Sequence, residues 1–197
     1  MEARHAMQMY TEATLEDYVR MGMDARSKID CNQIRSLAAR ISDSIRRGGK
    51  LVAFGNGGSA ADAQHFVAEL TGHFSRERDP LPAICLNTNV SGLTAISNDY
   101  SYDEVFSRQV KALVGSNDVV IGITTSGNSR NVINGVMEAA KIGSYTVAMT
   151  GRNGGKIRQV ASETLAAPSD DTPIVQEVHI AMIHMICLEI DRILAKK

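Results

Sequence analysis

The chain has 197 residues, with 21 Lys+Arg against 22 Asp+Glu and a formal net charge of −1 with His neutral, a balance that argues against nucleic-acid binding by phosphate neutralisation. Apolar residues make up 44% and charged residues 22%, which excludes a disordered or fibrous chain and fits one domain large enough to bury a core. No apolar run approaches the ~20 residues of a membrane span, the N-terminus lacks a signal-peptide layout, and three unpaired-looking cysteines (Cys31, Cys85, Cys187) suit a reducing cytoplasm.

The first ten residues are assigned no function. Residues 11–47 read as an N-terminal pair of helices split near Asp30, because Ile34, Leu37, Ala38, Ile41 and Ile45 recur at helical spacing and Gly48-Gly49 ends the pattern. Residues 50–197 read as an α/β core in the same single domain, 1–197. Short unbroken apolar segments mark strands at 51–54, 83–86, 118–123, 145–149 and 163–166. Helices are expected from about Ser59, from about Arg130, and from about Thr172 to Ala195. Strands alternating with helices predict a doubly wound, five-stranded parallel sheet of the flavodoxin-like kind. In such folds ligands bind at the carboxyl ends of the strands.

Two loops at those ends carry chemistry. Phe54-Gly55-Asn56-Gly57-Gly58-Ser59-Ala60 joins a strand to a helix, so its backbone N–H groups can face an anion, or its glycines can serve only a tight turn. It satisfies G-x-G-x-x-A literally, but the second strand ends in Asn87-Thr88-Asn89, not in the acidic residue that dinucleotide binding requires. No Gly-Lys-Ser/Thr follows, so it is not a Walker A loop. The second loop, Thr124-Thr125-Ser126-Gly127-Asn128-Ser129, sets four hydroxyls before a helix, more than the single hydroxyl an N-cap at Ser129 needs. It reads as a phosphate site that needs no fixed positive charge. Asn98-Asp99, expected in another loop, add groups suited to sugar hydroxyls.

Four of the five histidines fall within 65–73 and 179–184. His65 and Glu69 stand at i, i+4 on one helix face. With a second His from the last helix they suit either a divalent metal such as Zn²⁺ or a proton-transfer pair. Gln176 and His184 share the last helix eight residues apart, about 12 Å of rise. Both reach one centre only if that helix is irregular or one residue comes from another subunit. His73 and His179 are read as bystanders.

Together these residues resemble a known family. The run from Gly55 through His65, Ala68, Glu69 and Leu70 is similar to the signature of phosphoheptose (sedoheptulose 7-phosphate) isomerases of the sugar-isomerase (SIS) fold. The likeness continues through Leu93–Tyr100, Glu104–Val110, Thr125–Ser129, the Thr150–Gly155 loop, and Gln176-Glu177-Val178-His179 with His184. The resemblance implies conversion of sedoheptulose 7-phosphate to D-glycero-D-manno-heptose 7-phosphate through an enediol, the first step toward activated heptose for surface glycans. It also implies a cytoplasmic homotetramer with interface active sites and no membrane or direct nucleic-acid partner. By position it implies substrate contacts at Asn56, Gly57, Gly58, Ser59, Glu69, Asn98, Asp99, Thr124, Thr125, Ser126, Ser129 and Gln176. It implies one Zn²⁺ per subunit on His65, Glu69, Gln176 and His184, with Glu69 and His184 as the catalytic pair. Two departures stand out: Thr124-Thr125-Ser126 replaces the usual Ser-Thr-Ser, and Ile174 occupies the place of a usual Arg. A non-enzymatic branch of the family binds a replication initiator protein and is degraded at the glycine loop, helix carboxylate and last-helix His. This chain keeps Gly58, Glu69 and His184, which implies the enzyme over that branch or a sugar-phosphate sensor.

Overall fold

The computed structural model describes residues 13–194. The expectations for residues 1–12 and for the last helix at Ala195 lie outside them. Chain order is α1 (Leu15–Ser27), α2 (Cys31–Arg46), β1 (Leu51–Gly55), α3 (Gly58–Thr71), β2 (Ala83–Cys85), α4 (Val90–Asp99), a 3₁₀ turn (Tyr102–Glu104) and α5 (Val105–Leu113). Then come β3 (Val119–Ile123), α6 (Arg130–Ile142), β4 (Tyr145–Thr150), a 3₁₀ turn (Lys156–Gln159), β5 (Glu163–Ala166) and α7 (Thr172–Leu194).

The five strands pair in parallel in the order β2-β1-β3-β4-β5. Successive side chains alternate between the two faces, and both are buried. Leu51, Ala53, Ile121, Ile123, Val147 and Met149 face α2, α3 and α7, while Val52, Phe54, Val120 and Ala148 face α5 and α6. Phe54 stacks on Phe106 at 4.7 Å between ring centroids. The N-terminal pair belongs to the same core: α1 and α2 both pack on α7. Their N-termini are closed by Thr14 in a capping box and by Asp30, which accepts from Asn32 N and Gln33 N.

Differences from the sequence expectations have local causes. Asp118 stands just before β3, and its carboxylate accepts from Lys50 N and Gly115 N while pairing with Lys50 Nζ at 2.6 Å. Helices α4 and α5 were not anticipated; α4 contains no fully buried residue, so its apolar pattern is weak. Asn98 and Asp99 consequently close α4 instead of lying in a loop. α7 is long and apolar enough to cross a membrane by composition, which the count of unbroken apolar runs did not reveal. It is a core helix: Ile174, Val178, Met182, Ile186 and Ile190 are all buried. Ile174, in the position of the expected Arg, packs near Gly22 of α1.

Candidate active site

β1 and β3 are neighbours, yet the helices that follow them cover opposite faces of the sheet, α3 with α7 and α6 with α5. Their carboxyl ends therefore part into a crevice at the switch point of the strand order. The two helices that leave this crevice, α3 and α6, have no side-chain cap: Gly57 offers none, and Ser129 Oγ turns away from its helix to meet Thr124 Oγ1 at 3.0 Å. Their positive dipole ends thus face the opening, although Ser59 N and Ala60 N already donate to Asn56 O and Gly57 O, and Val132 N to Asn131 Oδ1.

Polar side chains fix the loops around that opening. Asn56 and Asn131 pair reciprocally, Nδ2 to Oδ1 at 2.8 Å one way and 2.9 Å the other, and Tyr102 OH donates to the same Asn56 Oδ1 at 2.9 Å. Asn87 clasps the backbone of Gly55, accepting from its N–H at 3.2 Å and donating to its carbonyl at 2.9 Å. The hydroxyl loop rests on residues 151–157: Gly151 N donates to Thr125 O, and Ile157 N to Gly127 O. Gly127 has φ +67°, and a Cβ there would stand 2.6 Å from the Gly154 carbonyl carbon, so only glycine lets the loops meet.

The chemistry sits on α3 and α7. His65 Nε2 lies 2.8 Å from Glu69 Oε1 and 3.4 Å from His184 Nε2. One ligating atom from each of the three falls within 4.8 Å of the others, a donor set of two imidazoles and a carboxylate that fits Zn²⁺ or a similar ion. Phe74 leans on His184 with centroids 5.4 Å apart. Gln176 does not join this group. Its amide covers Gly58, where a Cβ would come 2.8 Å from Gln176 Cδ, at the opposite end of α3 from Glu69. α7 is an unbroken helix from Thr172 to Leu194, so an irregular helix does not bring Gln176 to His184.

The structure thus gathers His65, Glu69 and His184 in one place, and Asn56, Gly57, Gly58, Thr124, Thr125, Ser126, Ser129 and Gln176 around the crevice. Ser59 is the exception among the loop residues. It is 3% exposed and packs beneath Gly55, so its hydroxyl belongs to the interior. Asn98 Nδ2 donates to Asp99 Oδ1 at the end of α4, and it is Tyr102, on the turn that follows, that reaches Asn56 at the crevice. His73 is exposed and apart from the cluster. His179 is fully buried, its Nε2 2.9 Å from Thr150 O, and burial pulls its pKa down to about 4, so it is a neutral strut under the 151–155 loop. Burial also raises the Asp62 carboxyl to about 6, a turn before His65 on α3. Asn131, Tyr102 and Asn87 were not singled out as site residues. Their roles come from contacts 32 to 75 residues distant, and only the polarity of Asn131 on an apolar helix face hinted at one.

A family model described as the SIS domain matches residues 16–151. A protein of Thermoplasma acidophilum named "Probable phosphoheptose isomerase" is 60% identical over 174 residues, 88% of this chain and 96% of its own length. The solved structure of a phosphoheptose isomerase from Francisella tularensis superposes with a TM-score of 0.84 at 33% identity, covering 98% of this chain and 100% of that one. That of a phosphoheptose isomerase from Neisseria gonorrhoeae does so with a TM-score of 0.83 at 41% identity, covering 94% and 99%.

Proposed function

The chain belongs to the SIS-domain family of phosphoheptose isomerases, and from that membership we propose that it interconverts sedoheptulose 7-phosphate and D-glycero-D-manno-heptose 7-phosphate through an enediol, in the cytoplasm, toward heptose for surface glycans. The observation that carries this reading is the arrival of His184, from α7, beside His65 and Glu69 on α3, the helix that opens from the uncapped glycine loop. The N-terminal dipole ends of α3 and α6, with the hydroxyls and backbone N–H groups of Thr124, Thr125, Ser126 and Ser129, hold the phosphate, so that a chain of net charge −1 needs no basic cluster for it. Asn56, braced by Asn131 and Tyr102, and Asn98 with Asp99 meet the sugar hydroxyls.

Glu69 takes the proton from C1 of the ketose while His184 gives one to the C2 oxygen; the enediol then receives the carbon proton at C2 and loses the one on the C1 oxygen. A carboxylate has two oxygens, and only Oε1 faces His65, which leaves Oε2 for the proton. His65, Glu69 and His184 would hold a divalent ion, Zn²⁺ by their chemistry, which when bound polarises the substrate carbonyl. His65 is 44% exposed at its side chain, so this pocket stays open within one subunit. A homotetramer with interface sites closes it and lets a Gln176 reach the cluster of a neighbouring subunit. The test is incubation with sedoheptulose 7-phosphate, with and without a chelator. Aldose product in metal-replete buffer is expected, and no product there sinks the enzyme reading.

A further inference from the structure

A buried ion pair next to the cluster has no part in the chemistry above. α3 ends at Thr71, leaving its last carbonyls without helical donors. Arg78, from the segment that follows, supplies them: Nη2 donates to the Glu69 carbonyl at 2.8 Å, and Nη1 to Leu70 O at 2.9 Å and Gly72 O at 3.3 Å. Its Nε donates to Asp191 Oδ1 on α7 at 2.8 Å, and the two side chains are only 7% and 1% exposed. Asp191 also accepts from Ser75 N and Oγ through Oδ2, at 3.0 and 3.2 Å.

The same guanidinium therefore grips both helices that carry the cluster. On α3 it holds the backbone of Glu69 itself. On α7 it holds a residue seven positions, two turns, beyond His184 and on the same face. Phe74, between the α3 terminus and Ser75, rests on the His184 ring. An isolated buried ion pair is weak evidence of stability, since desolvation offsets its attraction. This one is expensive to build and spends its donors on the carbonyls beside the reacting carboxylate.

We propose that Arg78, anchored by Asp191, is a positioning residue for the isomerisation: it sets the separation of α3 and α7 and so the registry of Glu69 and His65 against His184. The inference rests on the isomerase reading for its kinetic consequence and on the geometry alone for its structural one. Lys could pair with Asp191 but cannot span three carbonyls and a carboxylate at once, because it lacks the planar fork.

The test compares the native chain with Arg78→Lys and with the double variant Arg78→Met/Asp191→Leu, which leaves no lone buried charge. Two readouts are taken on protein whose methyl NMR spectrum shows the native fold: kcat and KM for sedoheptulose 7-phosphate, and the cross-relaxation between the His65 and His184 rings, whose centroids lie 5.1 Å apart. In both variants kcat falls by about 10- to 100-fold, the range for outer residues that orient site ligands, with KM within about twofold and the ring cross-peak weakened or lost. Native kcat with an intact cross-peak in either folded variant overturns the proposal, as does full rescue by Lys, which would make charge neutralisation of Asp191 the whole role. Should the native chain itself fail to turn over substrate, the isomerase reading falls, while the cross-peak still decides whether the clasp positions the histidines.

Discussion

Gly58 separates folding from function at a single atom. It is the first residue of α3 and has no left-handed backbone, so alanine is compatible with its conformation. Replacing a helical glycine by alanine gains up to about 0.5–1 kcal/mol. The new methyl would stand 2.8 Å from Gln176 Cδ and 3.0 Å from Oε1, too close to coexist with them. What it displaces is the tip of a flexible side chain, and an off-rotamer glutamine costs about 0.5–1.5 kcal/mol. Gain and cost nearly cancel, so Gly58→Ala is expected to keep Tm within about 3 °C of the native value, given about 2–4 °C per kcal/mol at this size. Activity behaves differently. If the Gln176 amide serves the bound sugar phosphate or its metal, losing that hydrogen bond removes about 1.5–3 kcal/mol, and kcat/KM falls about 10- to 100-fold. Thermal unfolding and an isomerase assay on the same preparation read both. An unchanged kcat/KM with an unchanged Tm would refute the placement of Gln176 in the site.

Other consequences follow from the same contacts. His179 has its folded pKa lowered to about 4 against an ordinary 6.5, so the unfolded chain binds the proton first, and its stability contribution, intact above pH 6.5, is lost as pH falls toward 4; urea unfolding should show on the order of 3 kcal/mol of acid loss that flattens in His179→Leu, and an equal slope in the variant counts against the buried neutral ring. Gly127→Ala drives a Cβ into the Gly154 backbone at φ +67°. It should cost more than about 3 kcal/mol, because no side chain can give way, and a near-native denaturant midpoint would contradict the loop packing. Tyr102→Phe removes one donor to Asn56. It should raise KM several-fold with kcat and stability little changed, and a kcat effect without a KM effect would place Tyr102 in the chemistry instead.

The sheet was legible because its signal is local: β1 and β3 are short unbroken apolar runs and β4 is nearly so, the pattern of strands buried on both faces. The two phosphate-type loops were legible for a related reason, since their glycines and hydroxyls are consecutive. α4 was not, because it buries no residue completely and its sequence carries little helical periodicity. His65 with Glu69 could be paired from an i, i+4 spacing, whereas the arrival of His184 beside them is a contact across 119 residues that periodicity cannot encode. Ser59 shows how burial escapes a local pattern. Its place in a glycine-rich run suggests a ligand, but the close approach of Gly55 turns it inward. The partners of Asn131 and Arg78 lay beyond sequence reasoning, since a buried polar residue declares its partner only in three dimensions.

The measurement that tests the central claim most directly is turnover of sedoheptulose 7-phosphate by the native chain and by Glu69→Gln, followed by proton NMR in deuterated water. The native chain should form the aldose. Glu69→Gln should form it about 10²- to 10⁴-fold more slowly, the loss of a general base, while keeping its fold and its packing against His65. Undiminished turnover by Glu69→Gln would contradict the account at its core, because among the described residues Glu69 is the carboxylate grouped with His65 and His184.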